Sequence, residues 1–170
     1  MPHVDTIQLQ SVDGHTHVSL HPMTASAAAT CGLAFAAIDP WVRYPISPGA
    51  LIGYLSAYES DAPRYALQVD GVLAGALGMR KSWLRGPYLQ FFGVLPVFQR
   101  HGLGRMVLDW LEADARASGE RNLWVAASSF NHVALHFYER QGYERVAVLD
   151  DLVRDGMTEI LLRKRLTVKK

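Results

Sequence analysis

Gln99-Arg100-His101-Gly102-Leu103-Gly104 carries the clearest chemical signal in the chain. It follows an apolar run, Leu89 to Leu95, and opens a strong helical pattern. Glycines let a backbone come close to a ligand, and a helix start offers unbonded N–H groups and a partial positive charge. Such a site takes an anion, above all a phosphate or pyrophosphate. No Gly-Lys-Ser/Thr follows, so this is not a Walker loop, and the Gly-x-Gly-x-x-Gly of a first βα turn is missing too. One further residue could do chemistry: Asn131 can cap a helix while offering an amide.

Several elements must position these groups. A first strand is expected over residues 15–20. Thr24 caps a helix to about Ile38, which Asp39-Pro40 stops because the residue before proline avoids the helical region. Ser47-Pro48 starts a second helix ending near Tyr58. Arg64 to Val69 and Val72 to Arg80 flank Asp70-Gly71, a two-residue hairpin signal. Tyr88 to Leu95 reads as a strand buried in mid-sheet, ended by Pro96. The helix from Gly102 to about Ser118 buries Leu103, Val107, Trp110 and Leu111, one stripe at helical spacing. Leu123 to Ala127 is a strand, Asn131 to Arg140 a helix, and Tyr143 to Leu149 and Met157 to Leu162 the last two strands. The fold class is therefore α/β of the α+β type, with helices on both faces of a mixed sheet. No repeat or linker divides the chain, so residues 1–170 are expected to form a single domain.

The 170 residues suffice for a full hydrophobic core, and 49% of them are apolar. A net charge of +1 gives no electrostatic case for nucleic acid or an anionic membrane surface. Neither a signal peptide nor an apolar run long enough to span a bilayer is visible, and the expected location is the cytoplasm. Cys31 is a single cysteine in an alanine-rich helical pattern, read as a small buried side chain. His132 and His136 are spaced to share a metal, but no third ligand stands at a telling distance, and no metal is expected. His15, His17 and His21 near the first strand read the same way.

Taken together and in order, these pieces resemble the GNAT family of acetyl-CoA-dependent N-acetyltransferases. Val94-Leu95-Pro96 precedes the glycine motif, which fits the family's Gln/Arg-x-x-Gly-x-Gly. Asn131 follows the next strand. Ala134-Leu135-His136-Phe137-Tyr138-Glu139-Arg140-Gln141-Gly142-Tyr143 fits the later helix signature. The motif region covers residues 89–143, and the topology nearly the whole chain. The resemblance implies a mostly antiparallel sheet of six to seven strands, the GNAT acyl-CoA N-acyltransferase fold. It implies that Gln99, Arg100, His101, Gly102, Leu103, Gly104 and Arg105 hold the coenzyme A pyrophosphate, their backbone amides from residue 100 onward facing it. The strand edge at Phe92, Gly93 and Val94 would pair with the pantetheine arm, where the family's strand often bulges. Asn131 would contact the cofactor, the backbone N–H of Val94 would face the oxyanion, and Tyr138 would protonate the departing thiolate. Acetyl-CoA is the implied co-substrate.

The acceptor side is less legible. Protein N-terminal acetyltransferases of this type often carry a glutamate where this chain has Ala126. Other members use an acidic residue or histidine on the central strand, where Tyr88, Gln90 and Phe92 stand here. Candidate bases are Glu59, Asp150 and Asp151, or water held by Tyr88 and Gln90. Trp41, Tyr44, Trp83 and Tyr88 could form an aromatic wall for an apolar or cationic amine, or could pack between loops and sheet. The expected activity is direct acetyl transfer to a primary amine of a small molecule or peptide. The competing readings are a silent coenzyme A sensor and a protein N-terminal or lysine acetyltransferase. A homodimer is possible, since the last strand is expected to offer an edge needing cover.

Overall fold

The structure, a computed structural model, describes residues 5–11 and 13–167. Eight strands are hydrogen-bonded in the order β1-β2-β3-β4-β5-β6-β8-β7. The pairs β1–β2, β2–β3, β3–β4, β6–β8 and β7–β8 are antiparallel, and β5–β6 is parallel. The sheet thus has one strand more than the upper bound expected. The added strand is β1 (Ile7–Leu9), three residues too short to show a period in the sequence.

The chain divides into two compact units, one reaching from the N-terminal part to Met79 with Phe91–Leu111, the other comprising Arg80–Gln90 and the chain from Glu112 onward. The first unit contains β1, β2 (Val18–Pro22), α1 (Ala25–Ala36), α2 (Pro48–Ser56) and β3 (Arg64–Val69). It also holds the first part of β4 (Val72–Trp83), the end of β5 (Gly86–Val94) and the start of α3 (Leu103–Ala117). Hydroxyls cap both early helices: Thr24 accepts from the Ala27 N–H and Ser47 from the Ala50 N–H. The expected first strand begins at Val18 rather than residue 15, because Asp13 ties the preceding backbone into a turn. Its carboxylate accepts the N–H groups of His15 and Thr16. The Asp70-Gly71 hairpin forms as expected, with both residues in the left-handed region at φ 48° and 79°. Ala28, Cys31 and Phe35 of α1, Leu51 and Leu55 of α2, Ala76 of β4 and Phe91 of β5 form this unit's buried cluster.

The second unit contains the remainder of β4, β5 and α3, then β6 (Asn122–Ser128), α4 (His132–Arg140), β7 (Glu144–Asp150) and β8 (Thr158–Arg165). Asn131 caps α4 by accepting from the Ala134 N–H at 3.1 Å. The sequence reading of the last strand as the edge is corrected. β8 lies between β6 and β7, and β7 is the edge. The β6–α4–β7 connection skips one position in the sheet, and β8 returns antiparallel into that gap, bonded on both sides. The pairing of β5 with β6 comprises Tyr88 opposite Trp124 and Leu89 opposite Val125.

Candidate active site

The glycine loop is built in the first unit. Pro96 ends β5 and opens a short 3-10 turn, Pro96–Phe98. Arg100 and Gly102 then adopt positive φ, 65° and 78°, which turns the chain sharply into α3. The Met106 N–H bonds the Gly102 carbonyl at 3.2 Å, so Gly102 is the residue that begins the helix. It has no side chain with which to cap the N–H groups of Gly104 and Arg105. An ideal Cβ placed on Gly102 meets no heavy atom within 4 Å, so the space beside its Cα is open. Arg100, His101 and Arg105 are exposed around them. This arrangement fits an anionic pyrophosphate.

The end of β5 presents a second feature. Leu95 donates its N–H to the Ala74 carbonyl of β4 at 2.8 Å. Backbone groups alternate along a strand, so Phe92 and Val94 direct theirs to the opposite edge, while Gly93 faces β4. The Val94 carbonyl is engaged by Gln99, whose Nε2 donates to it at 3.0 Å. Gly93 is tightly enclosed: a Cβ there would stand 2.7 Å from Phe35 and 2.8 Å from Trp41. Trp41 packs on Phe35 and Phe91 at 4.8 and 5.1 Å between ring centres, as part of the core rather than as a free wall. Tyr44 is half-buried beside it in sequence. A cavity of about 470 Å³ is lined by Val97, Phe98, His101, Leu103 and Met106, and also by Asp13, Thr16 and Asp70. Its two carboxylates disfavour a phosphate.

The second unit holds the phenols. Tyr138 is buried, and burial first, then the charge of Tyr88, pushes its pKa well above the ordinary tyrosine range. Its ring meets Tyr143 edge-on at 5.7 Å. Tyr88 stacks on Trp83 at 4.8 Å, and Trp83 meets Trp124 edge-on at 5.2 Å. The Tyr88 pKa is raised by burial and by the negative charge of Glu159, against the pull of Arg80. Gln90 is exposed two residues further along β5.

The carboxylates singled out as bases each have a partner. Glu59 pairs with Arg64 at 2.7 Å. Asp150 accepts from the Thr158 hydroxyl at 2.7 Å, and Asp151 accepts the Gly156 N–H at 2.6 Å in the β7–β8 turn. Sequence reasoning missed Glu159, a carboxylate with 6% exposure on β8 that accepts a hydrogen bond from Ser128. Its signal was an acidic residue inside the apolar run Met157 to Leu162. Burial pushes the Cys31 thiol up to about 11, and its side chain is sealed in the first unit's core. Among the described residues no group of three or more His, Cys, Asp or Glu gathers to hold a metal, and no helix is long and apolar enough to cross a membrane. His132 and His136 are exposed on α4. His17 lends its N–H to Asp70, and the His21 ring lies between the Ser19 and Thr6 hydroxyls.

Residues 32–143, which contain the loop, the β5 edge, Asn131 and Tyr138, match the acetyltransferase (GNAT) family. The chain belongs to this family. A curated relative, an uncharacterised N-acetyltransferase in the pepI 3′ region of Lactobacillus delbrueckii subsp. lactis, is 29% identical over 122 residues. That match takes in 69% of this chain and spans 60% of the relative's length. A GNAT-family structure from Desulfovibrio desulfuricans superposes with a TM-score of 0.68 at 22% identity, covering 91% of this chain and 99% of its own. A GNAT acetyltransferase from Elizabethkingia anophelis, solved with acetyl-CoA bound, gives a TM-score of 0.63 at 15% identity, covering 88% and 98%. At these identities the structural likeness is one of fold.

Proposed function

We propose that this GNAT member transfers the acetyl group of acetyl-CoA directly to a primary amine of a small molecule or peptide, in a ternary complex in the cytoplasm. The observation that carries the reading is the start of α3, where Gly102 begins the helix with no side chain to cap the first-turn amides and with open space beside its Cα. These amides, with Arg100 and Arg105 beside them, would hold the pyrophosphate of coenzyme A. Phe92 and Val94 would pair with the pantetheine arm through the β5 edge, and the Val94 N–H would stabilise the oxyanion formed when the amine attacks the thioester. Asn131 would reach the cofactor with the amide group it does not use for capping.

Tyr138 would complete the reaction by giving its phenolic proton to the coenzyme A thiolate. A phenol is protonated at neutral pH, the state a proton donor needs. The sealed thiol of Cys31 argues against an acyl-cysteine route and for direct transfer.

Acetyl-CoA titration by calorimetry, followed by thiol release across a panel of primary amines, tests the reading. Binding with release is expected, and Gly102→Glu should abolish binding in a folded protein by filling the anion site with a carboxylate. Absence of binding to the wild type, or undiminished binding to the variant, would overturn it. Binding without release on any amine would favour the sensor.

A further inference from the structure

An alkylammonium acceptor has no lone pair with which to attack, so it must first lose a proton. Register places the answer on one face of the second unit's sheet. Tyr88 stands opposite Trp124 on β6, and Trp124, Ala126 and Ser128 stand opposite Arg163, Leu161 and Glu159 on β8. Side chains alternate along strands, so these residues share a face. Along β6 this face runs from the Trp83–Tyr88–Trp124 aromatic group, past the small side chain of Ala126, to the Ser128–Glu159 pair. At the aromatic end the Arg163 guanidinium lies over the Trp124 ring, 5.8 Å from its centre, and the stacked Trp83 and Tyr88 add ring surface of the kind that holds a cation. The far end carries the buried carboxylate.

A carboxylate at 6% exposure is expensive for a small sheet, and apolar Ile160, Leu161 and Leu162 follow it directly. Ser128, at 1% exposure, donates its hydroxyl to Glu159 and so fixes the carboxylate's orientation. The negative charge of Glu159 raises the Tyr88 pKa, which sets the carboxylate and the aromatic group within electrostatic reach of each other. The other charged group acting on Tyr88 is Arg80 of β4. On β7, Leu149 stands opposite Glu159, and the neighbouring Asp150 belongs to the other face with Thr158.

We propose that Glu159, oriented by the Ser128 hydroxyl, is the general base that deprotonates the acceptor ammonium, with Trp83 and Tyr88 holding that cation. One ammonium N–H bond breaks and one carboxyl O–H bond forms, and the freed lone pair attacks the thioester carbonyl. Glu159 then returns its proton to water. This inference rests on the acetyltransferase reading and names the residue that reading lacks.

The test is the pH profile of Glu159→Gln, run with whichever amine of the panel gives the fastest thiol release from the wild type. At pH 7 the variant should lose about 100-fold or more in kcat/KM, with acetyl-CoA affinity by calorimetry unchanged. The deficit should shrink as pH rises and the amine becomes neutral without help. Ser128→Ala, which keeps the carboxylate, should show a smaller loss of the same pH form, and it serves if Glu159→Gln does not fold. A deficit equal at every pH, or no deficit, would overturn the role of Glu159. Failure of the acetyltransferase reading looks different: the wild type itself would release no thiol with any amine, and both proposals would fall.

Discussion

Tyr138 and Gly93 show how much single residues decide here. Tyr138→Phe removes one hydroxyl from a buried ring and leaves its packing on Tyr143 intact. We expect kcat to fall about 100-fold while calorimetry returns an unchanged acetyl-CoA affinity. An unchanged kcat would take the proton-donor role from Tyr138. Gly93 matters for the opposite reason, because nothing can be added. A methyl there meets two rings that are held against each other and against Phe91. Gly93→Ala should therefore cost about 1–3 kcal/mol, read as a lowered urea midpoint. A midpoint equal to the wild type's would mean that Phe35 and Trp41 can yield.

The elements carry a contrast between helices that are capped and one that is left open. α1, α2 and α4 each begin with a side chain accepting a backbone N–H, from Thr24, Ser47 and Asn131. α3 begins with Gly102, which has no side chain to do so. Asn131 tests whether one residue serves both purposes. Asn131→Ala should cost about 1 kcal/mol in stability through the lost cap. Asn131→Asp keeps the cap, since aspartate caps equally well, yet replaces the amide donor with a charge. Its stability should match the wild type while its acetyl-CoA affinity falls. Equal affinity for wild type and Asn131→Asp would confine Asn131 to capping.

Across the whole molecule, burial governs the response to alkali and to thiol reagents. Tyr88, Tyr138 and Tyr143 have pKa values raised above the ordinary tyrosine value, in each case first by burial. The unfolded chain then loses these protons at lower pH than the folded one. Their stabilising effect is full below about pH 10 and is lost as pH climbs through the raised range. The urea midpoint should be insensitive to these groups up to that pH and fall above it; a flat profile beyond it would contradict the burial. Cys31 should react with a thiol reagent only as fast as the protein unfolds, and rapid labelling of native protein would show that its core opens locally. Caps, the Asp70-Gly71 hairpin, the α3 stripe and the glycine loop were legible from sequence because each rests on neighbours within a few residues, where propensity and periodicity act directly. The strand β1, the place of β8 inside the sheet, the absorption of Trp41 into the core and the pairing of Ser128 with Glu159 were not. Those depend on which strand bonds to which, and a partner 31 residues away leaves no local trace. The sequence by itself determined the family motif and the glycine turn that opens α3; only the tertiary structure decided which carboxylate is buried beside the aromatic face, because register is set by long-range hydrogen bonding and core packing.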